Sequence, residues 1–401
     1  MERQDLTYYT ALHKKEIFIK LTETNPSDPG SGTVPAGIRR PKMRKRLPIL
    51  FLLVFIPFVS FSGNIGCGSC IEPFTFAVMS DNHVYPGGFG EVDSGEVGSG
   101  SVDSPAIATD IVNDIISQKA SIVFSAGDEV AGVFGSYTEN FAAQLNYYKT
   151  IVSTPLSNAG IAFYPIPGNH EYKIDSSGDW GDTLSTWNTA FPSLPQNGPA
   201  GEVGGTYSVT YKNSLFILLD EYATGFGTDT KVNQTWLDNI TERRQRQHVF
   251  VFGHSPAFQI DTYTASMLGQ NPSLRDAFWT SLENAKADIY FCGHLHKFDF
   301  ASVTGVSSHT TYQCVDGVTG SHVISPVTSE NHASNAPRTL NVLFDNYNDG
   351  EATACGTSRQ CAFGYTLVTV AGSTVTVKYR ERTGAGTFVT AYSYTYENDA
   401  S

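Results

Sequence analysis

Phe74-Thr75-Phe76-Ala77-Val78-Met79 runs straight into Ser80-Asp81-Asn82-His83. A short, mostly apolar stretch is followed at once by a carboxylate, an amide and an imidazole. The same arrangement recurs down the chain. Residues 121–125 lead to Gly127-Asp128, residues 248–252 to Gly253-His254, and residues 288–292 to Gly293-His294-Leu295-His296. A fifth and weaker run, 162–166, is interrupted by Pro165 and precedes Gly168-Asn169-His170-Glu171. Short apolar runs of this kind read as buried strands of an α/β sheet. Functional groups in such sheets gather at the carboxyl ends of the strands. Five strands therefore deliver Asp, Asn and His to one rim, although the ligands span 216 residues of sequence.

The intervening segments alternate with these strands. Ser104-Pro105 offers an N-cap and a first-turn proline, and Ile107, Ile111, Val112 and Ile115 then recur on one helical face. Further helices are expected over 138–152, from Gln234 to near Arg244, and over 273–285. Two strands, 206–211 and 214–219, flank Lys212-Asn213 as a hairpin. In the C-terminal third, residues 340–344, 363–370, 373–380 and 387–396 tend to alternate apolar and polar side chains, with Ala371-Gly372 as a tight turn. They read as antiparallel strands of a second sheet. Segments 85–103 and 175–199 are polar and glycine- or proline-bearing. Each directly follows a motif, so they read as loops near the rim that set specificity. The fold class expected is α/β, a four-layer α/β/β/α sandwich of two mixed sheets flanked by helices.

The order and spelling of the five motifs resemble the calcineurin-like metallophosphoesterase superfamily, whose pattern is D-x-H, G-D, G-N-H-E/D, H and G-H-x-H. All five stand intact, and the resemblance covers roughly residues 71–300. It implies the same sandwich and two metal ions that share a carboxylate. Carried over residue by residue, Asp128 is the bridge. Asp81, His83 and His296 complete the first metal; Asn169, His254 and His294 complete the second. Carboxylate and imidazole donors suit two divalent or trivalent ions such as Fe, Mn or Zn. His294 and His296 are two apart, so in an extended segment they point the same way. Glycines 127, 168, 253 and 293 would let the backbone turn sharply before each ligand. Asn169 adds no negative charge, which keeps the site net positive for an anionic substrate. His170 is the motif histidine left without a metal. It is the candidate catalytic group, with Asp128, either protonating the leaving alkoxide or stabilising transition-state charge. Glu171 would orient His170 or a ligand.

The bland reading of any one motif is that a lone histidine at a strand end is structural and that Asp81 is a cap. That reading would have to hold at five places together. His309 and His322 follow the last motif and are further candidates for the cleft wall, whereas His248 simply starts a strand. Two departures narrow the resemblance. Purple acid phosphatases of the superfamily place a tyrosine three residues after the bridging aspartate; Ala131 stands there, so an iron–tyrosinate site is not expected. The large C-terminal substrate domain of the secreted nucleotidases is not expected either.

Of 401 residues, 40% are hydrophobic and 12% aromatic, enough for a sizeable core. Residues 1–66 stand outside it. Arg44-Lys45-Arg46 precedes an apolar run, 47–61, and a small-residue stretch, 62–66, which is the layout of a secretory or lipoprotein signal over 43–66. An N-terminal anchor fits less well, because the run contains Pro48 and Pro57 and falls short of the ~20 residues a span needs. Residues 1–42 are a doubtful N-terminal extension: either translation begins at Met43, or they form a cytosolic tail. Residues 71–400 form the metallophosphoesterase domain. Cys67 follows Ile65-Gly66 as a lipidated cysteine would, giving membrane attachment, although Asn64 stands where leucine is expected; ordinary cleavage nearby is the alternative. Cys355 and Cys361 could staple a small loop. Cys292 could pair with Cys314 or be a plain buried thiol.

Beyond residue 66 the chain carries 16 basic and 34 acidic residues, a formal net charge of −18. No nucleic-acid-binding surface is expected of such a chain, and attraction for a phosphate ester must be local. The function expected is an exported, dinuclear metal-dependent hydrolase, periplasmic, bound to the cell envelope or secreted. It would cleave a small-molecule phosphomonoester or phosphodiester by metal-activated hydroxide attack. The alternative is a cell-surface binding protein on the same scaffold with little turnover.

Overall fold

The computed structural model describes residues 72–398 apart from 87–103, 133–139, 173–182, 224–229, 243–245, 259–267, 321–334, 346–362 and 385. The leader, Cys67, Cys70, Cys355, Cys361, His322 and most of the 85–103 loop lie outside the described residues.

Among the described residues the elements begin with β1 (Phe74–Met79), α1 (Ser104–Ser117), β2 (Ile122–Ser125), α2 (Phe141–Ile151), α3 (Ser153–Asn158), β3 (Ala162–Pro165) and α4 (Leu184–Ala190). It continues through β4 (Tyr207–Tyr211), β5 (Ser214–Leu218), α5 (Gln234–Glu242), β6 (His248–Phe252), α6 (Pro272–Asn284) and β7 (Ile289–Cys292). Six further strands follow: β8 (Phe298–Thr304), β9 (Thr311–Asp316), β10 (Thr339–Asp345), β11 (Gly364–Ala371), β12 (Thr374–Gly384) and β13 (Thr387–Glu397). They form two mixed sheets, one ordered β13-β12-β11-β1-β2-β3 and the other β10-β8-β9-β7-β6-β5-β4.

Period-two alternation in β6 shows how the layers form. Phe250 and Phe252 enter the core between the sheets, while Val249 and Val251 face the opposite way. Phe76 of β1 meets Phe250 and Phe216 across that core at ring centroid distances of 5.0 and 5.3 Å, and Phe124 of β2 stacks on Phe252 at 4.5 Å. Val249 and Val251 cluster with Leu237 of α5 and with Phe278, Trp279 and Leu282 of α6. Ile107, Ile111 and Ile115 of α1 are buried together with Leu145 and Tyr148 of α2. On α1, Asp110 and Asp114 lie one turn apart and receive Arg382 and Arg380 of β12 at 2.8 and 2.9 Å. The expected sandwich of two mixed sheets flanked by helices is thus observed.

The strands that carry the motifs fall within a residue of their expected bounds, and β6 matches its bounds at both ends. Pro165 is tolerated because β3 is an edge strand, where a missing N–H breaks no ladder. The C-terminal strands do not make a second sheet of their own. β11 pairs antiparallel with β1, Phe74 opposite Val370, and β12 and β13 extend that first sheet; only β10 joins the other. Alternation records that a strand has two unlike faces, and says nothing about which open edge receives it. Segment 175–199 is not all loop either. It contains α4, whose Trp187 is fully buried and donates its indole N–H to Gly204 O at 3.1 Å. Cys292 and Cys314 are separate buried thiols.

Candidate metal centre

All five motifs sit just past β1, β2, β3, β6 and β7, and their side chains meet. Backbone bonds first lace the loops together. Asp81 N donates to Gly127 O at 2.9 Å and His83 N to Asp128 O at 3.0 Å. The Asp81 carboxylate accepts Ser80 Oγ at 2.7 Å and His294 N at 2.9 Å, joining the first motif to the last. Asp81, His83, Asp128 and His294 all adopt positive φ, four of the seven non-glycine residues that do so among the described residues. Each such backbone costs about 1–3 kcal/mol and persists where surrounding contacts enforce it, commonly at functional sites. Of the motif glycines before the ligands, Gly127 turns with φ 95°. Gly293 has another role: a Cβ there would collide with Ser80 Oγ and Asp81 Oδ2, so the residue is bare to let the first carboxylate in.

Asp128 lies at the middle. Its Oδ1 accepts His170 N at 2.8 Å. Its Oδ2 lies 3.1 Å from His254 Nε2, 3.5 Å from His83 Nε2 and 3.9 Å from His170 Nε2. On one side, Asp81 Oδ1 is 3.8 Å from His83 Nε2 and 3.4 Å from His296 Nε2. On the other, Asn169 Oδ1 is 3.0 Å from His254 Nε2 and 2.9 Å from His294 Nδ1. Three donor groups each converge closely enough to hold one ion: Asp81, His83 and His296; Asp128, His254 and His294; and His83, Asp128 and His170. All of these side chains are buried.

The donor set fits two cations. His254 Nδ1 must donate to the Ala126 carbonyl, 2.8 Å away, so Nε2 is the atom aimed at Asp128 and Asn169. Burial opposes charge on that ring, yet Asp128 beside it, with Asp81 beyond, raises His254 to about 9. A proton on Nε2 thus stands where a metal would. Burial likewise pushes the Asp81 and Asp128 carboxyls up, and it is overcome by the His254 charge, which holds both well below the usual carboxylate range. Two buried carboxylates that demand positive charge, ringed by imidazoles with their nitrogens aimed inward, describe a site for metal ions.

His170 Nδ1 donates to Ala131 O at 2.7 Å, which leaves Nε2 facing the cluster. Glu171 does not reach His170. Its Oε2 accepts Gly168 N at 2.7 Å and Asp128 N at 3.0 Å, and its Oε1 accepts Val130 N at 3.1 Å. It is a clamp between the loops that carry Asp128 and Asn169. Burial first, then the nearby Asp128 charge, raise it to about 7. His309 is not in the cleft: it bonds Ala287 O at 2.9 Å, at the entry to β7 and so at the end opposite the motif. His248 bonds Asp288 Oδ1 at 3.0 Å and Gly372 O at 2.7 Å, holding strands together where β6 begins.

Glu221 escaped the sequence reading. It is buried just past β5, and accepts from the backbone of His254 at 3.0 Å and of Ser255 at 2.6 Å. The available signal was positional: Asp220-Glu221 follows an apolar strand as the motifs do, but belongs to no metal-binding pattern.

The family model described as calcineurin-like phosphoesterase matches residues 74–298, more than half of the chain. A search of curated proteins returned no match. Among solved structures, a purple acid phosphatase from yellow lupin (Lupinus luteus) aligns with a TM-score of 0.53 and 14% identity over 81% of this chain; the match spans only 54% of the lupin enzyme. PhoD aligns with a TM-score of 0.55 and 13% identity, over 84% of this chain and 72% of that one. GAP50, described as the anchor in the inner membrane complex of Plasmodium, aligns at 0.50 and 12%, over 82% and 89%. At these identities the structural matches speak to the fold.

Proposed function

Because this chain belongs to the calcineurin-like phosphoesterase family, we propose that it is an exported hydrolase which cleaves a small phosphate ester at a dinuclear metal site. The observation that carries the proposal is the placement of Asp128 Oδ2 between two donor groups, 3.1 Å from His254 Nε2 on one side and 3.5 Å from His83 Nε2 on the other. Asp81, His83 and His296 would hold one ion, and Asn169, His254 and His294 the other, with Asp128 between them. Bound there, metal ions would supply Lewis acidity toward the phosphoryl oxygens and would make a bound water more acidic.

The chain's own residues do the rest. Asn169 presents a neutral oxygen, so the donor set stays low in negative charge. Glu171 holds the Asp128 and Gly168 amides in register. His170, oriented through Nδ1 by Ala131 O, presents Nε2 for a proton to the leaving oxygen. Burial of the ligands limits competing water.

The fold alone does not carry this reading, since GAP50 shares it and is described as an anchor. A binding protein on the same scaffold is therefore the second reading, and the complete donor set weighs against it. Export rests on the order of basic, apolar and small residues over 44–66, with Cys67 as the lipid-attachment point. Among the described residues no helix is long and apolar enough to cross a membrane.

Metal analysis of the purified protein, with a panel of phosphomonoesters and phosphodiesters assayed in added Mn(II), tests the proposal. Two ions per chain and turnover of at least one ester class are expected. Two ions without turnover of any ester would favour the binding protein, and no bound metal would remove both readings.

A further inference from the structure

We propose that Glu221 is a positioning residue for the metal site: it fixes the backbone that presents His254 and thereby sets affinity at the ion held by Asn169, His254 and His294. The inference rests on the metallohydrolase reading above and adds to it a residue outside the five motifs.

Glu221 stands three residues past β5, and its carboxylate bridges the ends of β6 and β7. Oε2 accepts three donors, His254 N at 3.0 Å, Ser255 N at 2.6 Å and Ser255 Oγ at 2.9 Å. Oε1 accepts Tyr290 Oη of β7 at 2.7 Å. His254 is thus held at two points, its amide by Glu221 and its ring Nδ1 by Ala126 O at 2.8 Å. Two anchors on one residue leave Nε2 a single place to be, beside Asp128 and Asn169. A second observation points the same way. A Cβ on Gly253 would collide with Tyr290 Oη and fall 2.5 Å from Glu221 Oε1, so the residue before His254 is bare because the hydrogen-bonded Glu221–Tyr290 pair fills that space.

The hydrogen-bond geometry makes position, rather than charge, the requirement. A glutamine could keep its oxygen toward His254 N and Ser255 N and turn its NH2 to Tyr290 Oη. Tyr290 would then donate its own hydrogen to Ser255 O, already 2.7 Å away. Alanine leaves two buried backbone amides without an acceptor and frees the His254–Ser255 peptide to turn. Aspartate keeps the charge but falls short of the same amides.

The test is Mn(II) binding to the full chain by calorimetry with chelator competition, no substrate present, on wild type and on Glu221→Ala, Glu221→Asp and Glu221→Gln. Outer contacts to metal ligands are commonly worth 10–100-fold in metal affinity. Wild type should bind two ions. Alanine and aspartate should weaken one of the two by about that factor and leave the other within about threefold, and glutamine should restore both. A general loss of structure would weaken both ions together, so loss at one alone is the diagnostic. If the alanine variant does not fold, the aspartate variant decides. Wild-type affinity for both ions in the aspartate variant, or a glutamine variant as weak as aspartate, overturns the inference. Fewer than two ions on the wild type overturns the metal-site reading itself, and the inference with it.

Discussion

Glu171 is where the structure yields a graded prediction. Replacing it with alanine removes the acceptor for Gly168 N, Asp128 N and Val130 N, which bond it at 2.7, 3.0 and 3.1 Å. A buried amide left without a partner costs about 1–3 kcal/mol. Three of them set a range of about 3–9 kcal/mol. Removing a carboxylate that burial and Asp128 have raised to about 7 offsets part of that. Glutamine separates the terms. Its oxygen can still serve Gly168 N and Asp128 N, while its NH2 faces the donor Val130 N, so one bond of the three is lost, at about 1–3 kcal/mol. Urea unfolding in the presence of a chelator, followed by circular dichroism, measures both variants without the metals' contribution. The expected order is wild type, then glutamine, then alanine. Wild-type midpoints in both variants would show that Glu171 does not hold these loops together. A glutamine variant as unstable as alanine would show that its charge matters and its acceptors do not.

Three further outcomes follow from the geometry. Asp128→Ala should fold and lose both ions, as counted by mass spectrometry, and two ions retained would sink the bridging assignment. His170→Ala should keep both ions yet lower turnover on the order of 10²–10⁴-fold for substrates with poor leaving groups, and much less for an activated aryl ester; equal losses would mean that His170 positions the phosphoryl group and donates no proton. Burial raises Asp220 to about 7. The unfolded chain therefore ionises it first, and stability drains away as pH climbs from about 4 to 7, by up to about 4 kcal/mol. Asp220→Asn should flatten that slope, so a stability difference from wild type that is the same at pH 5 and pH 8 contradicts the assignment.

The candidate metal centre was legible in the sequence to an unusual degree, because each donor lies within four residues of the end of a strand and strand ends are easy to read. Asp81, Asp128 and His254 follow apolar runs whose length and composition leave little choice of element. The supporting layer was not legible. Glu221 acts by receiving backbone amides from a loop 33 residues later, and no local pattern announces an acceptor. The motif marks Glu171 as a group that orients His170 or a ligand; that it serves the Asp128 amide depends on how two loops stack, which the sequence does not show. Alternation makes each C-terminal strand legible but not the sheet it joins, because edge pairing is decided by what remains uncovered after the parallel strands have formed. α4 is hidden by its polar setting, since its apolar face is just Leu184, Trp187 and Ala190 at three-residue spacing.

The pairing of β1 with β11 also sets a schedule. Thr75 and Thr369 share a hydrogen bond across 294 residues of chain. At synthesis rates of about 5–20 residues per second, the partner of β1 emerges roughly 15–60 s after β1 itself. Throughout that interval the strand leading to Asp81 has an open edge, a template for pairing with any other extended chain. Long-range closure of this kind slows folding. The first of the described strands to be made is therefore completed late, and a ribosome stalled before residue 364 releases a chain in which Asp81 follows a strand with a bare edge.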